Sequence, residues 1–414
     1  MRANRASQSP LLLMALTVLI DFTGFGIIIP LLPFWAEHLG ASPVQVGLIL
    51  TVYSLAQLIF LPVLGRFSDR FGRRPIILWS LVIETISLTL TALSGSLTML
   101  LVARFIGGMG AANLGTAQAV VSDTTTPAER AKGMGFIGAA IGVGFVLGPA
   151  IGGGLTTLGL TAPFWFAAGV ALVNAALVFF LLPETRAKQP TLAAQASGAP
   201  AQPQIGFVAE LLATLRSPAV ARLIGVNLLY TLAFTAMEAM YPLFSQQIFG
   251  WGATQNAWIF VFVGVIMVIV QGGLVGRLAK LWGEQTLLLA GLALLAAGLL
   301  ALPLGTTLAV MLIAVGALSA GSGAISSMSS ALASLASPEE SQGQTLGVIQ
   351  SSGGLGRVLG PIAAGWVFAI GGAGAPFVAG GALAALALLV ALPRIPLAPH
   401  AQQPQQAPEM VEAR

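Results

Sequence analysis

The sequence predicts an all-α membrane protein of twelve transmembrane helices, arranged as two pseudo-symmetric six-helix bundles. Three observations lead there: the composition, the placement of the basic residues, and an internal repeat. The chain of 414 residues is 56% hydrophobic and only 8% charged, with a mean hydropathy of +0.91. Such a chain carries more apolar surface than a soluble domain can bury, so its solvent is a lipid bilayer. Large apolar patches left in water aggregate.

Spans of about twenty apolar residues, roughly 30 Å of helix, lie between turn and charge clusters. The first six are expected near Leu11–Trp35, Val44–Leu64, Pro75–Leu93, Leu97–Val121, Gly133–Leu158 and Pro163–Leu182. The second six are expected near Ala219–Phe244, Asn256–Val275, Thr286–Leu304, Leu308–Ala336, Thr345–Ile370 and Ala375–Leu392. The N-terminus, with Arg2 and Arg5 ahead of Leu11, looks like a signal peptide. Its apolar run continues past Pro33, too long for a cleaved segment, so it is read as a retained first span.

Orientation follows from Lys and Arg, which stay on the cytoplasmic side of short loops. With twelve spans, all 18 Lys and Arg except Arg104 and Arg357 fall on one side. Both termini are therefore expected in the cytoplasm, and the chain in the inner (plasma) membrane. The pI near 10.0 does not point to nucleic acid, because the basic residues are interleaved with spans and form no groove-like cluster.

Four regions are expected: a bundle over 1–183, a cytoplasmic linker over 184–218, a second bundle over 219–393, and a disordered tail over 394–414. The linker is rich in Ala, Gln and Pro. Its end, with Phe207, Leu211, Leu212 and Leu215, fits a short helix on the membrane surface. The chain lacks cysteine, so it has no disulfide framework or thiolate chemistry.

The internal repeat has an offset of 211 or 212 residues. The stretch from Gly65 to Arg73 recurs from Gly276 to Glu284, Leu147-Gly148-Pro149 as Leu359-Gly360-Pro361, and Pro30-Leu31 as Pro242-Leu243. Duplication of a six-span unit places a binding site between the halves near the midplane, with alternating access by rocking.

The turn after the second span contains Gly65, Asp69, Arg70, Gly72, Arg73 and Arg74. Glycine permits a tight turn and close helix approach, and Asp69 is suited to cap the third span and pair with an arginine. The second copy places Lys280 in the Asp69 slot and Glu284 in the Arg73 slot. The fifth span carries Gly138, Gly142, Gly144, Gly148, Pro149, Gly152 and Gly153. Small residues there let helices approach closely, and packing alone explains them as readily as function does.

These motifs resemble those of the major facilitator superfamily over nearly the whole chain. The turn from Gly65 to Arg74 is similar to its signature loop, here a conformational latch. Gly144, Gly148, Pro149, Gly152 and Gly153 resemble the antiporter motif of its drug:proton exchangers. The first span from Asp21 through Pro33, with Ser68-Asp69-Arg70, Arg104, Gly108 and Asp123-Thr124-Thr125, resembles tetracycline-type efflux transporters. The resemblance implies proton-driven export of a small lipophilic or cationic compound by a protein that is not an enzyme. The proton gradient is the expected driving force, with no cofactor or metal, and a monomer is expected. Two features used by tetracycline exporters are missing: no histidine stands in the second-half spans, and the ninth span has no acid.

Five charges lie within spans, where insertion costs about 2.5–3.5 kcal/mol each, so each invites a functional reading. Asp21, Glu84, Arg104 and Glu238 are the candidates for proton coupling, with Asp21 first. Asp21 and Glu84 fall at midplane depth, Glu238 nearer the outer face. Arg104 is expected beside Asp21, either switching its charge or as a fixed ion pair. Arg357 occupies the slot of Phe145 in the repeat and is expected to face Glu238 or an anionic substrate group, or to anchor helices. Polar and aromatic candidates for the substrate cavity are Phe25, Asn113, Gln118, Asn227, Tyr230, Phe234, Tyr241 and Gln350, each as readily a packing residue. A mostly apolar cavity suits lipophilic compounds.

The chain has no G-x-x-x-x-G-K-[ST] loop of a primary pump and no H-E-x-x-H or G-x-S-x-G of a hydrolase. A polar-metabolite carrier, or a lipid translocator or sensor on the same fold, remains as the alternative.

Overall fold

The computed structural model describes residues 2–111, 113–185, 217–338 and 341–396. The proposed surface helix at Phe207–Leu215 and the tail beyond 396 lie outside the described residues. Within them the chain is helical throughout. The first half comprises α1 (Arg2–His38), α2 (Pro43–Phe71), α3 (Arg73–Leu93), α4 (Leu97–Gly110), α5 (Asn113–Thr124), α6 (Pro127–Leu155) and α7 (Ala162–Leu181). The second comprises α8 (Pro218–Phe249), α9 (Ala253–Ile269), α10 (Val275–Trp282), α11 (Glu284–Ala301), α12 (Leu308–Leu335), α13 (Gln342–Gly371) and α14 (Ala375–Ala391).

In this apolar chain the helix starts are set by short polar caps. Ser42 and Gln45 form a capping box at α2, and the hydroxyls of Ser96 and Thr307 accept from the main-chain N–H of Met99 and Val310 at α4 and α12. Proline occupies the first turn of α2, α6, α7, α8 and α14, where no donor is lost.

Among the described residues, eleven spans are long and apolar enough to cross a bilayer, counting α4–α5 and α9–α10 each as one. The twelfth, α14, has 17 residues, about 26 Å of helix and the lower limit for crossing. The eighth span is interrupted by a π-turn at Val270–Leu274, where Gly272 and Gly273 stand. A boundary difference with consequences for the motif concerns α2, which continues from Leu64 through the charged stretch to Phe71. Gly72 alone, with φ +106, separates it from α3. Ser68, Asp69 and Arg70 are therefore helical residues emerging from the membrane, not loop.

The two halves repeat one pairing scheme. In the first, α1 packs on α6, α2 on α4, and α3 on α7; in the second, α8 packs on α13, α9 on α12, and α11 on α14. The halves meet through α2 with α13 and α6 with α9. Helix ends carrying Arg66, Arg70, Arg73, Arg74, Arg130, Arg222, Arg277 and Lys280 share one end of the bundle, called here the basic end. Exposed Trp79 and Trp282 lie near it, while exposed Trp165, Trp258 and Trp366 lie toward the far end. Indole rings favour these two interfacial levels.

Contacts between the halves cluster on the far side. A side chain at Gly47 would overlap the Pro361 carbonyl, and one at Gly365 would lie 2.5 Å from the carbonyl of Pro43. Thr51 donates to the Val358 carbonyl at 2.8 Å, and the hydroxyls of Thr156 and Thr254 lie 2.7 Å apart. Toward the basic end the glycines at 65, 138, 276, 343 and 347 face open space. The halves are thus held together at the far end.

Candidate substrate and proton site between the halves

Four helices of the first half each turn one short stripe inward at helical spacing. Asp21, Phe22, Phe25 and Ile28 come from α1, Tyr53 and Gln57 from α2, Glu84, Ser87 and Leu88 from α3, and Arg104 and Gly107 from α4. Together they line a cavity of about 130 Å³. A second cavity of about 70 Å³ lies toward the other half, between Glu238 and Thr235 of α8, Arg357 and Pro361 of α13, and Leu50 and Ser54 of α2. Phe25, Ile28, Tyr53 and Arg104 border both. Each cavity is smaller than the roughly 300 Å³ typical of a drug-sized site, so such a ligand needs both joined.

Asp21 and Glu84 stand together on the wall of the larger cavity. Asp21 also accepts from Asn174 Nδ2 at 3.3 Å, and Asn174 is itself held by Thr17. The sequence reading missed Asn174; its signal was a lone amide in an otherwise apolar sixth span.

Arg104 departs from the expected pairing with Asp21. Its guanidinium carbon lies 4.7 Å from the Tyr53 ring centroid, a cation–π contact in a nonpolar setting. Arg104 is only 4% exposed, and its Nε and Nη1 have no hydrogen-bond partner. Tyr53, also missed, stands with Gln57 at i, i+4 on an apolar span, a polar stripe visible in the sequence once that spacing is considered.

Glu238 and Arg357 are brought to one cavity, as the facing-charge reading expected. They stand apart from Asp21 and Glu84, with Arg104 and Tyr53 between. Arg357 is exposed although it sits mid-helix. Phe145, its counterpart in the repeat, packs its ring against Phe22 and Phe25.

The remaining cavity candidates divide. Phe25 lines both cavities. Tyr230 shares a 2.7 Å hydrogen bond with Ser322 and packs beside Phe234. Asn227 donates to the Ile349 carbonyl and to Ser352, joining α8 to α13. Tyr241 is a correction: at 1% exposed it is packed against Phe244 and Phe260 in the core. The bulk of apolar neighbours around its ring holds it there. Gln118 and Gln350 are exposed, and the side chain of Asn113 lies outside the described residues.

The signature turn differs from the cap expected of Asp69. Asp69 lies in the last turn of α2 and bridges to Arg73 Nη1 at 2.8 Å, while Arg73 Nε reaches Asp123 at 3.1 Å. Glu184 instead caps α3 through the main chain of Arg73 and Arg74. Arg70 lies over Phe71, and Arg74 over Phe179. Gly72 supplies the positive φ, whereas Gly65 is exposed with no close neighbour, so close helix approach is not its role. These contacts all stay within the first half. In the second-half copy, Lys280 and Glu284 form no ion pair among the described residues.

In the fifth span, side chains added at Gly144 and Gly148 would come within 3 Å of α1 main chain. Gly152 faces Ile27 and Leu31, and Gly142 and Gly153 face Val268 and Ala257 of the other half. Pro149 sits inside α6 against Gly26. Small residues thus let α6 contact α1 and α9 together.

The chain matches the family model of the Major Facilitator Superfamily over residues 14–304 and 272–412. It is 31% identical over 282 residues to the tetracycline resistance protein, class B, of Escherichia coli, covering 66% of this chain and 67% of that protein. It is also 31% identical over 276 residues to multidrug resistance protein 2 of Bacillus subtilis (strain 168), with 66% and 67% covered. The fold is similar to that of the human organic anion transporter MFSD10 (TETRAN), with TM-score 0.69, 26% identity and coverage of 93% of this chain and 99% of that one. It is similar as well to an inward-facing bacterial homologue of the lysosomal transporter Spinster, with TM-score 0.76, 16% identity, and 93% and 96% covered. The chain is a transporter of the major facilitator superfamily.

Proposed function

We propose that this transporter exports small lipophilic compounds in exchange for protons, by alternating access of the cavities between its halves. The observation that carries the reading is the placement of two carboxyls, Asp21 and Glu84, on one cavity wall with Arg104. A carboxyl in a low-dielectric cavity holds its proton and releases it when hydrated, and a neighbouring cation such as Arg104 favours the ionised form. Rocking of the halves alters the hydration of the cavity wall. The lining of Phe22, Phe25, Ile28 and Tyr53 offers apolar contact to a lipophilic substrate. The names of the tetracycline and multidrug resistance relatives support the same reading.

In this reading the basic end faces the cytoplasm with both termini, because short basic loops stay inside. The contacts that hold the halves together at the far end then lie on the outer side, and the protein works as a monomer in the inner membrane.

The test is drug accumulation in an efflux-deficient host, with and without a protonophore. Lower accumulation that the protonophore reverses is expected. Accumulation unchanged by expression, or uptake of sugars in place of drug efflux, would sink the proposal.

A further inference from the structure

Of the groups around the two cavities, an acid at one wall is engaged and the arginines are not. Asn174 donates to Asp21, and Glu84 lines the same wall. Arg104 holds two buried nitrogens without an acceptor. Arg357 forms no salt bridge or hydrogen bond among the described residues, and it stands exposed on the same small cavity as Arg104. A buried guanidinium with unsatisfied donors is costly, because each donor has given up water without a replacement. Guanidinium forks match a carboxylate in geometry and charge.

We infer that the space between Arg104 and Arg357 receives the anionic group of the substrate, so that the transported compounds are amphipathic organic carboxylates or zwitterions. This rests on the export reading above and narrows its substrate class. The apolar body then lies over Phe25, Ile28 and Leu50, which border the same cavity. Glu238 lines the cavity as well and faces Arg357. It competes with the incoming carboxylate for Arg357, so an anion enters best when Glu238 is neutralised. The internal repeat offers no counterpart, since the Arg357 slot holds Phe145 in the first half, where it serves an aromatic cluster. The charge asymmetry between the halves is thereby assigned to substrate selection.

The experiment compares a naphthalene carboxylate with its neutral carboxamide on the purified full chain, by quenching of intrinsic fluorescence. The carboxylate is expected to bind about tenfold more tightly, the scale of one charge-assisted hydrogen bond. Arg357→Gln weakens carboxylate binding far more than carboxamide binding and so removes the preference, and Arg357→Lys restores part of it. Glu238→Gln strengthens carboxylate binding several-fold, an opposite sign that loss of folding cannot imitate. Equal binding of the two probes, or a preference surviving Arg357→Gln, overturns the inference. Proton-driven export of the carboxamide in everted vesicles is measured in parallel. If it persists without a carboxylate preference, the export reading stands and the inference fails. If neither probe is exported yet the preference is present, the export reading fails and the inference stands.

Discussion

The carboxylate of Glu184 accepts hydrogen bonds from the main-chain N–H of Arg73 at 2.9 Å and of Arg74 at 3.3 Å. A residue beyond the end of α7 thus caps the start of α3, where Gly72 supplies no side chain of its own. An anion at a helix N-terminus meets unsatisfied donors and the positive end of the helix dipole. The repeat preserves the contact in altered form: Ile395, beyond α14, donates its N–H to Gln285 at the start of α11. In each half the exit of the last span is tied to the entry of the third.

Glu184→Ala is expected to cost about 1 kcal/mol, the scale of a lost helix cap. Thermal unfolding in detergent should show the shift, with Glu184→Gln between wild type and Ala. A melting temperature identical to wild type for both would show that the cap contributes nothing.

Gly72→Ala should destabilise by about 1–3 kcal/mol, because its φ of +106 with extended ψ is a region nearly restricted to glycine. The added methyl would also displace Glu184. Gly65→Ala, in the same motif but with open space around it, should be neutral in the same unfolding assay. Similar effects at both positions would contradict the assignment of separate roles.

Gly148→Ala places a methyl 2.5 Å from the Thr23 carbonyl and 2.8 Å from the Cα of Gly26. Backbone cannot retreat as a side chain can, so α1 and α6 must separate and folded yield should fall sharply. Gly138→Ala, one of the open positions on the same helix, serves as the tolerated control, read by size-exclusion profile.

The chain has no native cysteine, so an introduced pair gives an uncluttered test of the joined far end. Thr156→Cys with Thr254→Cys replaces hydroxyls 2.7 Å apart across the halves. Oxidation should cross-link them and stop transport, and reductant should restore it. A pair at Gly65 and Gly276 on the basic end should not cross-link in the resting protein. The reverse pattern would mean that the far end is the open one.

Asp21→Asn should abolish coupling between substrate flux and the proton gradient while leaving substrate binding intact, since the amide keeps its partner Asn174 but cannot carry a proton. Glu84→Gln should weaken coupling as well, because either substitution leaves a single carboxyl without the second acid beside it. Collapse of an imposed pH gradient on substrate addition is the readout. Full coupling in both variants would remove the pair from the mechanism.

Several of these relationships could be read directly from the residues. Uninterrupted apolar runs and one-sided basic residues fix the spans and their alternation, because lipid satisfies no backbone group and tolerates few charges. The repeat fixes the two-half architecture, and the rarity of charge in the spans singles out Asp21, Glu84, Arg104, Glu238 and Arg357. What the sequence could not determine is which face of each helix turns inward. In a span that is apolar all round, hydrophobic periodicity carries little directional information. Hence Tyr241 passed for a cavity residue until packing buried it, and Asn174, Tyr53 and Glu184 were overlooked. The tertiary structure alone brought Asp21 and Glu84 from two spans to one wall, moved Arg104 onto Tyr53, and set Glu238 opposite Arg357. Such pairings depend on the rotation and approach of whole helices, which close glycine contacts between backbones decide.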